Sequence, residues 1–403
     1  MRILKISDVF FPRVNGVSTS IDTFRRDLET LGHEVVLIAP AYSRASADPR
    51  ETPDLPEMPD PRIVRVPGRA VPRDPEDRII SWSGLRRALA ELAPRKFDVV
   101  HIHTPFLAHY AGLGFARQQG TPVVATYHTL FEEYLHHYVP LLPRTITGGL
   151  ARRFSRSQCN QLDTVIAPSQ AMQQSLVAYG ITKPIEILPT GLPAERFRAG
   201  DGKAFRRRHG FHPEQPLLLF VGRAAHEKNI GFLLEMMLEL RAIRPDAVLL
   251  IAGEGPAAPS LRAQATRLGV DGNVRFLGYF DRGGELQDCY SAADVFVFSS
   301  LTETQGLVLL EAMAQGVPVV AIPRMGTIDI LGRGLGCRHA PNDRKGFAEV
   351  VRGVLADPDG RRELGVQARE YAESWASIRM AQRLSALYAS LAPDASLAPA
   401  TTR

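Results

Sequence analysis

Two glutamates eight positions apart, Glu303 and Glu311, enclose a glycine in the run Ser300-Leu-Thr-Glu-Thr-Gln-Gly-Leu-Val-Leu-Leu-Glu311. An apolar run, Val295 to Phe298, precedes them, and a helical apolar pattern, Leu307 to Gln315, follows. That order predicts a strand, a loop carrying Glu303, and a helix with Glu311 one turn inside it. The amides of Gln305, Gly306, Leu307 and Val308 would point outward, where the helix dipole favours an anion. A phosphate there would leave Glu303 free to accept from hydroxyls. Two carboxylates beside a phosphate site suit a ligand that also carries many hydroxyls, and a nucleotide sugar meets both demands. The same letters fit a helix cap, with Thr302 or Thr304 as N-cap and Glu311 solvated.

A second group is Gly222-Arg-Ala-Ala-His-Glu-Lys-Asn229, directly after the apolar run Leu217 to Val221. Arg223 and Lys228 fall on a strand-to-helix loop, the edge at which α/β sheets bind ligands, and two cations there suit a diphosphate. A solvated turn is the plainer alternative. Phe11-Pro-Arg-Val-Asn-Gly16 follows the first apolar run, and Gly16 opens a helix. Its missing Cβ would let a phosphate or sugar approach the backbone. His128 ends a strand in Thr126-Tyr-His-Thr129, a place that also suits a structural hydrogen-bonder. His101 and His103 share one strand face without a third ligand at zinc spacing, and Asp357-Pro-Asp359 sits between late helices, so no metal is assigned. Neither G-x-G-x-x-G nor a P-loop occurs, which disfavours a dinucleotide oxidoreductase and a P-loop NTPase.

The elements that must position these residues alternate between short apolar runs and amphipathic stretches. Strands are predicted at Arg2–Ile6, Glu34–Ile38, Arg62–Val66, Asp98–Ile102, Pro122–Tyr127 and Thr164–Ala167. After a charged stretch, Glu195 to Gln215, a second set follows at Leu217–Val221, Ala247–Ala252, Val274–Leu277, Val295–Phe298 and Pro318–Ile322. Apolar parallel strands need helices on both faces. The fold class is therefore α/β, with two doubly wound, Rossmann-like domains facing each other across a cleft. Residues 1–200 form the first domain and 201–373 the second; 374–392 is a final helix and 393–403 a disordered tail. Tyr42 to Asp74 reads as a long loop around one short strand.

Composition narrows the classes. Of 403 residues, 45% are hydrophobic and 23% charged, which excludes a disordered, collagen-like or coiled-coil chain. No apolar run approaches the ~20 residues of a membrane span, and Met1 to Ile6 lacks the form of a signal peptide. Cys159, Cys289 and Cys337 build neither a disulfide framework nor a zinc site. A net charge of +5 without a recognition motif does not point to nucleic acid. The charge matters where it is concentrated. No acidic residue lies between Glu133 and Asp163, while Arg144, Arg152, Arg153 and Arg156 alternate with Tyr138, Leu141, Leu142, Leu150 and Phe154. Segment 134–160 thus suits an anionic membrane surface, with a core-packed helix as the alternative. The reading is a cytosolic protein that touches a membrane.

In order, these motifs resemble the retaining family-four glycosyltransferases of GT-B fold, from Arg2 to about Leu391. Glu303 to Glu311 resembles that family's E-x7-E motif. Gly222 to Lys228, Gly253-Glu-Gly-Pro256 and Leu188-Pro-Thr-Gly191 stand where the family has comparable segments. The resemblance implies that Arg223 and Lys228 hold a donor diphosphate, that Glu303 accepts from sugar hydroxyls and that Glu311 accepts from the ribose. The amides of Gln305, Gly306, Leu307 and Val308 would face sugar and phosphate. Gly16 would approach the diphosphate, His128 would line the sugar, and the base would lie near Phe276 to Gly278. The helix around Trp375 to Leu391 would cross back onto the N-terminal domain. Gln305 departs from the aromatic of many members. Thr302-Glu-Thr-Gln-Gly-Leu307, Phe11 to Ser18 and Tyr127 to His137 resemble a subgroup that makes glucosyl-diacylglycerol from UDP-glucose. Sulfoquinovosyl and GDP-mannose-dependent mannosyl lipid transferases are near in pattern. The implied activity is retaining, metal-independent hexosyl transfer to a membrane lipid, with no cofactor, at the cytoplasmic membrane face. Mannosyl transfer to a glycolipid or polysaccharide, an epimerase of the same fold, and a silent nucleotide-sugar-binding scaffold are the alternatives.

Overall fold

A computed structural model describes residues 1–42, 60–71, 74–128, 144–280 and 284–392. The chain divides into two compact units, Met1–Thr190 with Ser377–Arg403, and Gly191–Ala376.

Among its described residues, the first unit is built on seven parallel strands, with an antiparallel hairpin beside them. In chain order its elements are β1 (Arg2–Ile6), α1 (Gly16–Thr30), β2 (Glu34–Pro40), β3 (Ile63–Val66), β4 (Gly68–Val71), β5 (Asp74–Ile80), α2 (Trp82–Leu92), β6 (Val99–Ile102), α3 (Leu107–Gln119), β7 (Val123–Thr126), α4 (Arg144–Cys159), β8 (Thr164–Ala167), α5 (Gln170–Ala178) and β9 (Ile185–Ile187). The parallel strands lie in the order β3-β2-β1-β6-β7-β8-β9, and β4 pairs with β5 apart from them. Alternation assigns the two sheet faces. Leu4, Ile6, Val100 and Ile102 pack with Leu85 and Leu89 of α2 and Leu113 of α3. Ile3, Val99 and Val124 pack with Phe24 and Leu28 of α1 and with Met380, Leu384 and Tyr388 of the C-terminal helix. Lys5 and His101 therefore point into this second layer, where both are fully buried.

The second unit contains α6 (Gly202–Arg208), β10 (Leu217–Val221), α7 (Ile230–Arg241), β11 (Val248–Ala252), α8 (Ala258–Arg267), β12 (Val274–Gly278), α9 (Glu285–Ala292), β13 (Val295–Phe298), α10 (Leu307–Ala314), β14 (Val319–Ala321), α11 (Thr327–Leu331), β15 (Cys337–His339), α12 (Arg344–Ala356) and α13 (Pro358–Glu373). The last helix, α14 (Ser377–Leu391), belongs to the first unit. Its sheet is parallel throughout, in the order β12-β11-β10-β13-β14-β15. Each sheet has one point where the strand order reverses, between β1 and β6 in the first and between β10 and β13 in the second. Ligands of open α/β sheets bind outside the strand ends at such points.

Several boundaries differ from the sequence reading. The units part at Thr190/Gly191 rather than 200/201, because Ala194–Phe197 is tied into the second unit. The Gln315 amide donates to the carbonyls of Arg196 (2.6 Å) and Arg198 (3.0 Å). The other division falls at Ala376/Ser377, three residues beyond the expected 373/374, since Leu192 donates to the Trp375 carbonyl at 2.8 Å. The stretch expected as a loop around one strand carries, among its described residues, β3, β4 and the start of β5. Residues 43–59, 129–143 and the tail 393–403 lie outside the described residues. No helix among the described residues is long and apolar enough to cross a membrane.

Candidate active site

In the second unit the loops after β10 and β13 meet at the reversal of strand order. Lys228 ends a 3-10 turn, His226–Lys228, and Asn229 follows in the left-handed region (φ 54°). The Asn229 amide donates to the Ser299 carbonyl (3.2 Å), and the Ser299 hydroxyl donates back to the Asn229 carbonyl (2.9 Å). This stitching sets Lys228 Nζ 2.6 Å from Glu303 Oε1, with both side chains mostly buried. Arg223 on the same loop is exposed and makes no ion pair with any described residue. Gly306 has φ 96°, a conformation costly for any other residue, and hands the chain to α10. The amides of Leu307 and Val308 are thus the outward donors of a helix N-terminus. Gln305, just before the turn, is buried, so its side chain is not part of an exposed rim.

Glu311 is only 6% exposed, not solvated as the helix-cap alternative expected. Tyr290 of α9 donates its hydroxyl to Oε2 at 2.9 Å, and Arg196 Nε stands 3.8 Å from Oε1. Both oxygens of the residue expected on a ribose thus have protein partners. The reason is helical: Glu311 lies one turn into α10, on the side that faces α9 and the Ala194–Phe197 turn. The glycines of Gly253-Glu-Gly255 have a packing task. A Cβ on Gly253 would collide with the Gly222 carbonyl, so the loops after β10 and β11 close tightly. Phe276, where the base was expected, lies on β12 with the Arg262 guanidinium 4.4 Å from its ring centroid.

In the first unit Asn15 caps α1, its side chain accepting from Ser18 N at 2.8 Å, and Gly16 is the first helical residue. A Cβ on Gly16 would meet nothing within 4 Å, which leaves open space beside the helix start. His128 lies just past β7. Its Nε2 is 3.1 Å from His103 Nδ1, with the two rings stacked. Desolvation, reinforced by the charge of Lys5, pushes the His128 pKa down to about 3, so the ring is neutral at pH 7. His103 in turn stacks on His101 at 4.0 Å between centroids. His101 is bonded on both sides, to Tyr388 Oη (2.6 Å) and Thr126 Oγ1 (2.8 Å). The sequence showed His101 and His103 only as a failed metal pair. An unused signal was Lys5, a charge between the apolar residues Leu4 and Ile6 of β1.

The basic segment is a helix over its described part. Ala151, Ser155 and Gln158 of α4 face inward. The Ser155 hydroxyl meets Tyr127 Oη at 2.7 Å, and Gln158 donates to the Pro105 carbonyl at 2.7 Å. That face pins α4 and turns Arg152, Arg153 and Arg156 outward, where they line a concave surface with Asn160 and Tyr179. Leu150 beside them is 53% exposed.

Comparison with known proteins supplies the class. Glycosyltransferase Family 4 matches residues 14–196, and Glycosyl transferases group 1 matches residues 201–371. The chain belongs to the family-four glycosyltransferases, and its two parallel-sheet units are those of the GT-B fold. Among its relatives, an alpha-monoglucosyldiacylglycerol synthase of Streptococcus pneumoniae is 31% identical over 327 residues, which cover 80% of this chain and 71% of that protein. A GDP-mannose-dependent alpha-mannosyltransferase of Mycobacterium tuberculosis is 32% identical over 333 residues, 82% of this chain and 81% of that one. The crystal structure of Anabaena HepE in complex with UDP shares the fold, with a TM-score of 0.75 at 16% identity, covering 97% of this chain and 100% of that chain.

Proposed function

We propose that this glycosyltransferase moves glucose from UDP-glucose to a membrane lipid such as diacylglycerol, with retention at the anomeric carbon and without a metal ion. The observation that carries the reading is the Lys228–Glu303 pair at the strand-order reversal, beside Arg223 and the start of α10. In the reaction the bond from the anomeric carbon to the diphosphate oxygen breaks. The bond to the acceptor oxygen forms, and the acceptor proton passes to the departing phosphate oxygen. Negative charge grows on that phosphate. Arg223, Lys228 and the amides of Leu307 and Val308 stabilise it, so preorganised electrostatics supplies much of the rate. Lys228 exchanges Glu303 for phosphate, which frees Glu303 to accept from sugar hydroxyls. The similarity to a synthase named for monoglucosyldiacylglycerol supports the lipid acceptor and glucose. Arg152, Arg153 and Arg156 with Leu150 offer a basic, partly apolar surface to an anionic bilayer.

A second reading, mannosyl transfer from GDP-mannose, is favoured by the comparable similarity to the mycobacterial mannosyltransferase. One experiment separates them. The protein is incubated with UDP-glucose, UDP-galactose or GDP-mannose, vesicles of diacylglycerol and anionic lipid, and EDTA, and glycolipid is sought by mass. Glucosyl-diacylglycerol from UDP-glucose alone is the expected product. Product from GDP-mannose alone selects the second reading. Absence of any lipid product while nucleotide still binds overturns the lipid acceptor.

A further inference from the structure

In the buried layer between the first sheet and helices α1 and α14, Lys5 Nζ and His103 Nε2 have no hydrogen-bond partner among the described residues, and neither do Ser18 Oγ and Arg25 Nε on α1 itself. Lys5 is fully buried at the centre of β1, in register with His101 on β6. His103 follows β6, its amide bonded to the Ile6 carbonyl at 3.0 Å. It therefore sits at the reversal of strand order in this sheet, one strand repeat beyond His101 on the same face. Its other ring nitrogen, Nδ1, makes the 3.1 Å contact to His128 Nε2.

A neutral imidazole has one N–H and one lone pair. Burial holds both His103 and His128 neutral. One of them must donate across the 3.1 Å contact, and the choice fixes both rings. If His128 donates, His103 carries its proton on Nε2. Two unpaired buried donors, that N–H and the Lys5 amine, then share one desolvated layer. If His103 donates, its Nε2 is a lone pair in the positive field of Lys5, whose charge acts on this ring, and only the Lys5 amine is left as an unmet donor of the two. Leaving buried donors unmet is costly, so the second arrangement is favoured.

We propose that Lys5 and His103 are positioning residues that hold His128 with its proton on Nδ1, so that His128 presents a hydrogen-bond donor, not an acceptor, to the ligand. The neutral histidine side chain in water prefers the proton on Nε2, so the buried pair reverses the intrinsic choice. The inference rests on the reading of His128 as a donor-sugar residue, yet its first test requires no turnover. The full chain is labelled with 15N-histidine, and long-range proton–nitrogen correlations are recorded without substrate. The His128 resonances are assigned by their loss in His128→Gln. The expected result is a protonated Nδ1 and an unprotonated Nε2 on His128. In His103→Leu the proton should return to Nε2, and kcat/KM for the sugar donor should fall about three- to tenfold, the range of one neutral hydrogen bond. Lys5→Met tests the same relay from its far end and replaces an unmet amine by an apolar chain, so it should fold even if His103→Leu does not. It should lower the population protonated at Nδ1, whereas His109→Gln, in α3 and outside the relay, should not change it. A His128 proton on Nε2 in the unaltered protein, or a tautomer indifferent to both His103→Leu and Lys5→Met, overturns the proposal. An Nδ1-protonated His128 whose replacement by Gln leaves donor binding unchanged would uphold the relay and remove the sugar role instead.

Discussion

Replacing Lys5 by Met should make the protein more stable at neutral pH and remove part of its pH dependence. In the fold, burial in the apolar layer lowers the Lys5 pKa from 10.5 to about 7, with the nearby Arg25 adding in the same direction. In the unfolded chain the amine returns to 10.5. The unfolded state thus binds more protons between these values, and stability rises with pH across that window. At ~1.4 kcal/mol per decade the whole interval is worth roughly 5 kcal/mol, of which about 2 kcal/mol falls between pH 7 and pH 9. Lys5→Met lacks the ionisable group, so its advantage over the unaltered protein should be largest at pH 7 and should shrink by that amount at pH 9. The two tryptophans, Trp82 and Trp375, report on different units. In a Trp375→Phe background, urea unfolding followed by Trp82 fluorescence reads the first unit alone. Taking the difference between the two proteins at each pH cancels every other titrating group. A difference that stays constant from pH 7 to 9, or a Met variant less stable at pH 7, would refute the assignment of Lys5 as a desolvated amine that lies over the Phe24 ring, 5.5 Å from its centroid, with no hydrogen-bond partner among the described residues.

Glu311→Ala should cost about 1–3 kcal/mol, because it strands the Tyr290 hydroxyl and the Arg196 guanidinium in the interior. Glu311→Gln keeps an acceptor for Tyr290 and should cost less. Urea midpoints give the stability, and loss of donor affinity without loss of stability would return Glu311 to a ribose role. Replacing Arg152, Arg153 and Arg156 together by Ala should weaken binding to anionic vesicles about 100-fold, at ~1 kcal/mol per charge. Neutral vesicles should bind both proteins alike, and sedimentation with vesicles checks this; equal binding to anionic vesicles would remove α4 as the membrane surface.

What was legible in the sequence follows from how local its causes are. Apolar runs of five residues announce β10 and β11, because a strand buried on both faces needs no partner to be recognised. Lys228 and Glu303 could each be singled out because each sits on a loop after an apolar strand, but their 2.6 Å pairing was not foreseen. Edge strands of three residues, β9 and β15, carry too little pattern to be seen. The hairpin strand β5 begins Asp74-Pro-Glu-Asp and shows no apolar alternation. The fate of Glu311 was not legible at all, since the arginine beside it lies on a turn more than a hundred residues away. Lys5 was not singled out, since the layer it enters is closed by Tyr388 of the last helix, which bonds the neighbouring His101, and periodicity does not report contacts across that separation.

The Lys228–Glu303 pair makes a charge argument that separates a sugar-nucleotide site from a plain phosphate site. Lys228 already has a countercharge at 2.6 Å, so an arriving diphosphate must draw it away from Glu303. Glu303 is then left as an unpaired carboxylate beside new negative charge. At an effective dielectric near 20, such a juxtaposition over several ångströms costs on the order of 2–3 kcal/mol. Sugar hydroxyls offset that cost by donating to the carboxylate; a nucleoside diphosphate alone has none at that position. Glu303→Gln removes the repulsion and weakens the acceptor. It should therefore bind UDP or GDP about tenfold or more tighter than the unaltered protein, while donor turnover falls about 10- to 100-fold, the loss of one charge-assisted hydrogen bond. Calorimetric titration with each nucleoside diphosphate, beside turnover with the matching nucleotide sugar, measures both arms. Equal or weaker diphosphate binding by Glu303→Gln would mean that Glu303 does not compete with phosphate for Lys228, and the exchange proposed for the pair would fail.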